Sequence, residues 1–556
     1  MIKKSFRLRI KTILLGTACG ALVIGASTGS ALSGSIPHFV FFPGSLVVSR
    51  SVYDNNPNNV TVEEQLPPGC SSSNCVSAGY NGTYPTVFNN ASIDGSFGIT
   101  SQIFLDQVLP NGLLLNSLEV PNSLEPWVTP STDQLVTSFS SKSELALNLS
   151  LDQKYLTFMG YVAPVNAIDV SNANTPGVID TSNPDPGPYY RAVGKVDFRG
   201  DYSFTETNAY SGDNGRAAVY NNVGGDDFFY TAGNAGNGSN PQPNGIILGA
   251  GAQFIAPADL PESSQDPGSP TPVGSFNITQ LGHKADKIGK DTNFRGLTIF
   301  NNVVYYSKGS GGNGVNTVYF IDTTGNACPS SSATPGVGLP QTGAALPTSS
   351  IDYDPTALQT EGVVPYNMCI LAGFPTALAK NTTWFPFGIW FANANTVYVA
   401  DEGNGDNTYS TTTGTYINTA AQTTAGLQKW TFNGTTWNLE YTLTAGLNLG
   451  TPYTVKYYPT GDNAATGLPW APATAGLRNI TGSLDYNGTA TIYAITSTVS
   501  GGGDEGADPN MLVKITDDLN ATPLPAAESF TTVRSPRNLT VLRGVAFTPT
   551  FDFSNY

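Results

Sequence analysis

"FGIWFANANTVYVADEGNGD" (387–406) is the stretch on which the fold turns. Two apolar runs flank Asn393-Ala394-Asn395, and an acidic, glycine-rich loop follows. Neither run has a helical period of 3.6. Both are short and rich in β-branched and aromatic residues, and Asn favours turns, so the stretch reads as a β-hairpin. The loop Asp401-Glu402-Gly403-Asn404-Gly405-Asp406 then has three readings: a strand-ending turn, a cation loop, or a seat for catalytic carboxylates.

The pattern recurs. "FRGLTIFNNVVYYSKGSGGNG" (294–314) has the same order of Gly, apolar strand, Asn, second apolar strand and glycine loop. Third strands follow in "NTVYFID" (316–322) and "GLQKWTF" (426–432), and "NGTTWNLEYTL" (433–443) supplies a fourth. A looser copy runs over 479–516, and "GRAAVYNNVGGDDFFYTAGNAG" (215–236) and "SIDGSFGITSQIFLDQV" (92–108) are further candidates. Four strands per repeat is the arrangement of a propeller blade. The last copy, "VLRGVAFTPTF" (541–551), repeats a blade start, with Arg543-Gly544 parallel to Arg295-Gly296, and the chain then stops. "GSLVVSR" (44–50) is a strand without a first partner. We therefore expect an all-β, about seven-bladed β-propeller, closed by pairing of the N- and C-terminal strands.

"LALNLSLDQKYLTFMGYV" (145–162) followed by "NAIDVSN" (166–172) resembles the Ser-Pro-Asp-Gly-Lys-Tyr-Leu-x-Phe blade core of TolB-like propellers, with Leu151 and Gln153 in place of the Pro and Gly. Together with the repeats, this makes the chain similar to secreted bacterial propellers of the NHL, SMP-30 and TolB kind. The resemblance implies the fold and carries over no catalytic residue, because such folds serve many functions.

Residues 1–31 read as an export signal: Lys3, Lys4, Arg7, Arg9 and Lys11, then an apolar stretch from Ile13 to Ala26, then Gly29-Ser30-Ala31. Export to the periplasm or the extracellular space is expected, with 32–556 as a single propeller domain and no membrane span after cleavage. Of the 25 Lys and Arg residues five lie in 1–31, so the remainder carries 20 bases against 41 acids. That balance argues against nucleic acid and leaves a small molecule, a glycan or an envelope protein as partner, with the chain a monomer. Cys70 with Cys75 and Cys328 with Cys369 are the expected disulfides of an oxidising compartment.

Motifs of nucleotide-binding and hydrolytic enzymes fail on context. Gly309-Ser310-Gly311-Gly312-Asn313-Gly314 fits a phosphate-loop pattern but joins two strands with no helix after it. The only histidines are His38 and His283, so multi-histidine metal sites are excluded and triads have little to draw on. Arg295, Arg478 and Arg543 stand at blade starts, where repeats meet around an axis. With Lys308 they are the ligand-binding candidates, for carboxylate, phosphate or sugar hydroxyls; bracing of neighbouring blades is the other role open to them. Asp401, Glu402, Asp406, Asp504 and Glu505 are the candidate ligands for Ca2+, a hard cation that takes six to eight oxygens. Two functions stay open: a propeller that binds a ligand on one face, and a calcium-dependent hydrolase or lyase of lactonase-like or phytase-like kind.

Overall fold

Six blades, not seven, make the propeller, four of them with four strands and two with five. The computed structural model describes residues 39–551 except 60, 62–64, 67–75, 78–97, 130–132, 140–143, 179–186, 226, 235–250, 259–274, 277–292, 310–313, 329–335, 349–367, 379–381, 465 and 503–504. Blade 1 runs from its inner strand Thr540–Phe547 through Leu46–Val52 and Thr100–Val108 to Leu114–Glu119. Blades 2 to 6 open with the inner strands Asn148–Leu149, Gly215–Asn221, Leu297–Phe300, Pro386–Asn393 and Ala473–Leu484, and each continues outward in chain order, except that in blade 4 Val337–Gly338 lies outside the later strand Met368–Leu371 and parallel to it.

The miscount has one cause. The stretch 92–108 looked like a blade of its own, but its strand Thr100–Val108 pairs with Leu46–Val52, from Leu46↔Val108 to Val52↔Gln102. On its other edge Leu46–Val52 pairs antiparallel with Thr540–Phe547, from Leu46↔Phe547 to Val52↔Thr540. Three stretches far apart in the chain thus share one sheet.

The near-continuous apolar runs follow from the packing. A strand places successive side chains on opposite faces, and both faces of these sheets are covered by neighbouring blades. Val304 and Tyr306 join the cluster with Val219, Tyr230 and Phe254 of blade 3, whereas Val303 and Tyr305 join Ile389, Phe391 and Val397 of blade 5. Similar clusters separate blades 1 and 2, 2 and 3, 5 and 6, and 6 and 1. Asn301 and Asn302 both take positive φ, 48° and 60°, in the two-residue turn after Phe300, as Asn tolerates in a hairpin.

The expected disulfide Cys328–Cys369 is present, with a Cα–Cα distance of 5.8 Å. It ties the loop after the third strand of blade 4 to the following strand Met368–Leu371. Cys70 and Cys75 lie outside the described residues, as do His38, His283 and residues 1–31. Among the described residues no helix is long and apolar enough to cross a membrane.

Candidate functional site

In an antiparallel pair the start of one strand lies beside the end of the next. Pro386 pairs with Asp401 and Ala473 with Val499, so inner-strand starts and second-strand ends share one end of the ring. A repeated backbone device sets this end. Ser307 Oγ accepts from Gly296 N at 2.8 Å and donates to the Phe387 carbonyl of the next blade. Ser49 Oγ does the same in blade 1, accepting from Gly544 N at 2.7 Å and donating to the Leu145 carbonyl at 2.7 Å. A Cβ on Gly296 or Gly544 would overlap those carbonyls, so only glycine permits the approach.

Charged side chains gather here from every blade. Arg543 donates to the Ser138 carbonyl at 3.2 Å, to the Phe139 carbonyl and to Ser51 Oγ at 3.3 Å, so it braces the inner strand of blade 1 against Thr137–Ser138, a short strand that pairs with Thr100–Val108 of the same sheet. Glu144, fully enclosed, accepts from Tyr161, from Thr137 Oγ1 at 2.7 Å and from Ser138 N at 3.0 Å; burial raises its pKa while these bonds and Arg543 oppose the shift. Arg191, 0% exposed, donates to the Asp213, Tyr189, Ser171 and Ala173 carbonyls, with its guanidinium 5.2 Å from the Tyr161 ring centroid. Arg216 donates to Asn293 and to the Phe294 carbonyl at 2.9 Å, with Asp213 Oδ1 4.0 Å away. Arg478 Nε meets Glu402 Oε2 at 3.2 Å.

Arg295 is the centre of this group. Burial first, then the Arg216 guanidinium and Arg478, hold it down to about 9, and Glu402 and Asp213 oppose them. Arg295 remains partly exposed to solvent. Among the described residues Arg216 and Arg478 are its neighbouring guanidiniums and Glu402 and Asp213 its neighbouring carboxylates.

The structure therefore brings Arg295 and Arg478 together with Glu402, places Arg543 at a brace, and sets Lys308, the last residue of the second strand of blade 4, beside the start of its inner strand, where Arg295 N donates to the Ser307 carbonyl at 2.8 Å. Lys308 is fully buried in blade 4 and donates to Asn316 Oδ1 at 3.3 Å. Arg216 escaped the sequence reading although "GRAAVY" begins a blade as Arg295 does; Arg191 and Glu144 carried no such signal.

The acidic loop divides its carboxylates among separate tasks. Asp401, 0% exposed, accepts from Phe385 N and Gly403 N, each at 2.8 Å, and ends the strand. Asp406 accepts from Thr408 N at 2.8 Å and Asn418 Nδ2 at 3.0 Å; the Thr408 bonds hold its pKa below the usual range. Glu402 faces Arg478. Each of the three carboxylates thus has its own N–H donor or cation partner, and among the described residues they form no group close enough to share one ion. Asp504 lies outside the described residues, and Glu505 begins a short 3-10 turn, Glu505–Ala507.

Two carboxyls give a pH signature. Burial pushes Asp401 up to about 7, against the two backbone bonds. Burial, with Asp517 beside it, pushes Glu528 up to about 7 against the bond from Asp518 N. A carboxyl whose folded pKa is raised stabilises the fold fully below its unfolded value and loses that stability as pH rises through the folded one. The melting temperature is thus expected to fall between pH 5 and pH 8, and Glu528→Gln to flatten part of the fall. Equal melting of the wild type at the two pH values would contradict this.

No protein-family model matches the sequence, and no curated protein matches it. The chain is similar in fold to a polysaccharide lyase of family PL25, an ulvan lyase bound to -[GlcA(1-4)Rha3S]-, at 9% identity and a TM-score of 0.29, covering 91% of this chain and 97% of that one. It is similar to NanB plus Optactamide at 8% identity and a TM-score of 0.31, covering 74% of this chain and 62% of that one. It is also similar to the uncomplexed Pyrococcus horikoshii acylaminoacyl peptidase at 8% identity and a TM-score of 0.25, covering 78% of this chain and 42% of that one. These likenesses single out no narrower propeller group and transfer no site residue.

Proposed function

We propose that this is an exported propeller that binds a small anionic ligand, a carboxylate or phosphate, at the end of the ring where Arg216, Arg295 and Arg478 meet. The observation that carries the reading is the partly buried Arg295 at the start of the inner strand of blade 4, with the Arg216 and Arg478 guanidiniums and the Glu402 and Asp213 carboxylates around it. An entering anion relieves the repulsion among the guanidiniums, and their planar groups offer paired donors to it. We propose too that the pairing of Leu46–Val52 with Thr540–Phe547 is the closure that keeps this constellation rigid. A hydrolytic reading through Asp401 gains nothing, since both of its oxygens accept backbone N–H groups.

Calorimetric titration with citrate, glucuronate and inorganic phosphate tests the reading. Arg295→Gln is expected to weaken the best of these by ~10-fold or more, the worth of a charged hydrogen bond. Glu402→Gln is expected to strengthen it by removing a competing carboxylate. Absence of binding by all three anions, or equal affinity in Arg295→Gln, would refute the proposal.

A further inference from the structure

Basic residues are scarce in this chain, yet several collect at the junction of blades 1 and 6, on the segment that leads from the outer strand of blade 6 into the inner strand of blade 1. A groove of about 660 Å³ lies there between the Gly112–Leu114 hairpin of blade 1, the Lys456-Tyr457 loop and the segment Val533–Asn538, which ends the last strand of blade 6, Thr531–Arg534, and leads out of it. Lys456, Arg534 and Arg537 line it, and among the described residues no Asp or Glu does. Behind the wall Asp106 is the acid, and it is already shared: Arg50 Nε binds its Oδ2 at 2.9 Å and Arg534 Nη1 lies 3.4 Å from the same oxygen. Lys456 and Arg537 are exposed.

Tyr457 adds an aromatic platform. Its side chain is 80% exposed, its backbone sits at φ 69°, and Asn538 Nδ2 donates to its carbonyl at 2.9 Å. A bulky residue held in the left-handed region costs free energy and persists where the surroundings fix it. Lys456 Nζ stands 4.7 Å from the ring centroid, so ring and charge are presented together. The groove's shape depends on Gly112, at φ 92°, because any Cβ there would overlap the Val533 carbonyl.

We infer that this groove binds an acidic polysaccharide, with a sugar ring stacked on Tyr457 and its carboxylate or sulfate groups on Arg537 and Lys456. A flat aromatic beside cations matches a ligand that alternates apolar sugar faces with anionic groups. The denser charge of nucleic acid fits less well, because the remaining surface of a chain with net charge −16 repels it. The inference is independent of the inner-strand ligand proposed above.

Affinity electrophoresis of the full chain in gels holding polygalacturonate, dextran sulfate or neutral dextran tests it, and the two acidic polymers distinguish carboxylate from sulfate. At least one acidic polymer is expected to retard the protein and neutral dextran not to. Arg537→Gln and Tyr457→Ala, both on exposed side chains, are expected to weaken that retardation roughly fivefold or more at unchanged melting temperature. Arg295→Gln is expected to bind the polymer as wild type does. The inference is overturned if neither acidic polymer retards the protein, or if Tyr457→Ala is retarded as strongly as wild type. It is likewise overturned if Arg295→Gln abolishes the effect, or if anionic lipid vesicles compete where free polysaccharide does not.

Discussion

Deletion of residues 39–52 is expected to leave a chain with no cooperative thermal transition. Phe41, Leu46, Val47 and Val48 are each at most 1% exposed. Burying four such side chains contributes on the order of 6–12 kcal/mol, comparable to the whole stability of a typical domain. The loss is not confined to one sheet. Val47 packs into the cluster between blades 1 and 2, and Leu46 and Val48 into the one between blades 6 and 1. Ser49 Oγ links Gly544 to Leu145, and Arg50 holds Asp106 by two bonds of 2.9 and 3.0 Å. Without Leu46–Val52, Thr540–Phe547 and Thr100–Val108 face each other across an empty lane, and both edges invite aggregation. Calorimetry and circular dichroism would show the absent transition, and a synthetic 39–52 peptide added during refolding should restore part of it. A deletion variant that melts at the wild-type temperature would sink the closure proposal.

The hairpin over 387–406 was legible because its signal is local. Two apolar runs with both faces covered, a turn at Ala394-Asn395 and an acidic stop are all written within twenty residues. The same holds for 294–314, where Asn301-Asn302 supplies the turn. Blade number is a different kind of fact. Whether Thr100–Val108 begins a sheet or extends one depends on partners near residues 46 and 547, and no periodicity encodes that pairing. The site divides in the same way. Arg295, Arg478 and Arg543 were visible because repeats place them alike, yet their tasks differ: one brace, one ion pair, one guanidinium amid its own kind. Arg191 comes from a third strand, and Glu144 precedes the shortest inner strand, so neither stood in a position the repeats mark. The acidic loop was legible as a turn in Asp401 and Asp406, whereas the Glu402–Arg478 contact spans two blades.

The second large effect is expected where blades 5 and 6 meet. Lys429 Nζ lies 3.0 Å from Asp517 Oδ2, and both side chains are 0% exposed. Lys429 also donates to the Asp518 carbonyl at 2.6 Å, the Ala521 carbonyl at 3.0 Å and Tyr441 Oη at 2.9 Å. Asp517 accepts from Tyr441 Oη at 2.6 Å and from Tyr398. Every charge in the group is thus answered from the opposite blade or the backbone, and removing one partner strands the other in a medium that solvates it poorly. Asp517→Asn or Lys429→Met alone should each cost ~3–5 kcal/mol in denaturant unfolding. The two single variants should also respond oppositely to pH. In Lys429→Met the orphaned Asp517 escapes its penalty by taking up a proton, so the deficit relative to wild type shrinks as pH falls. In Asp517→Asn the orphaned Lys429 escapes by losing one, so the deficit shrinks as pH rises. The double variant should be more stable than the sum of the two single losses predicts, because neither Lys429 nor Asp517 is left behind without the other, and a double-mutant cycle reads that coupling. Single variants within ~0.5 kcal/mol of wild type, the range of an ordinary surface change, would show that this pair does not hold the two blades together.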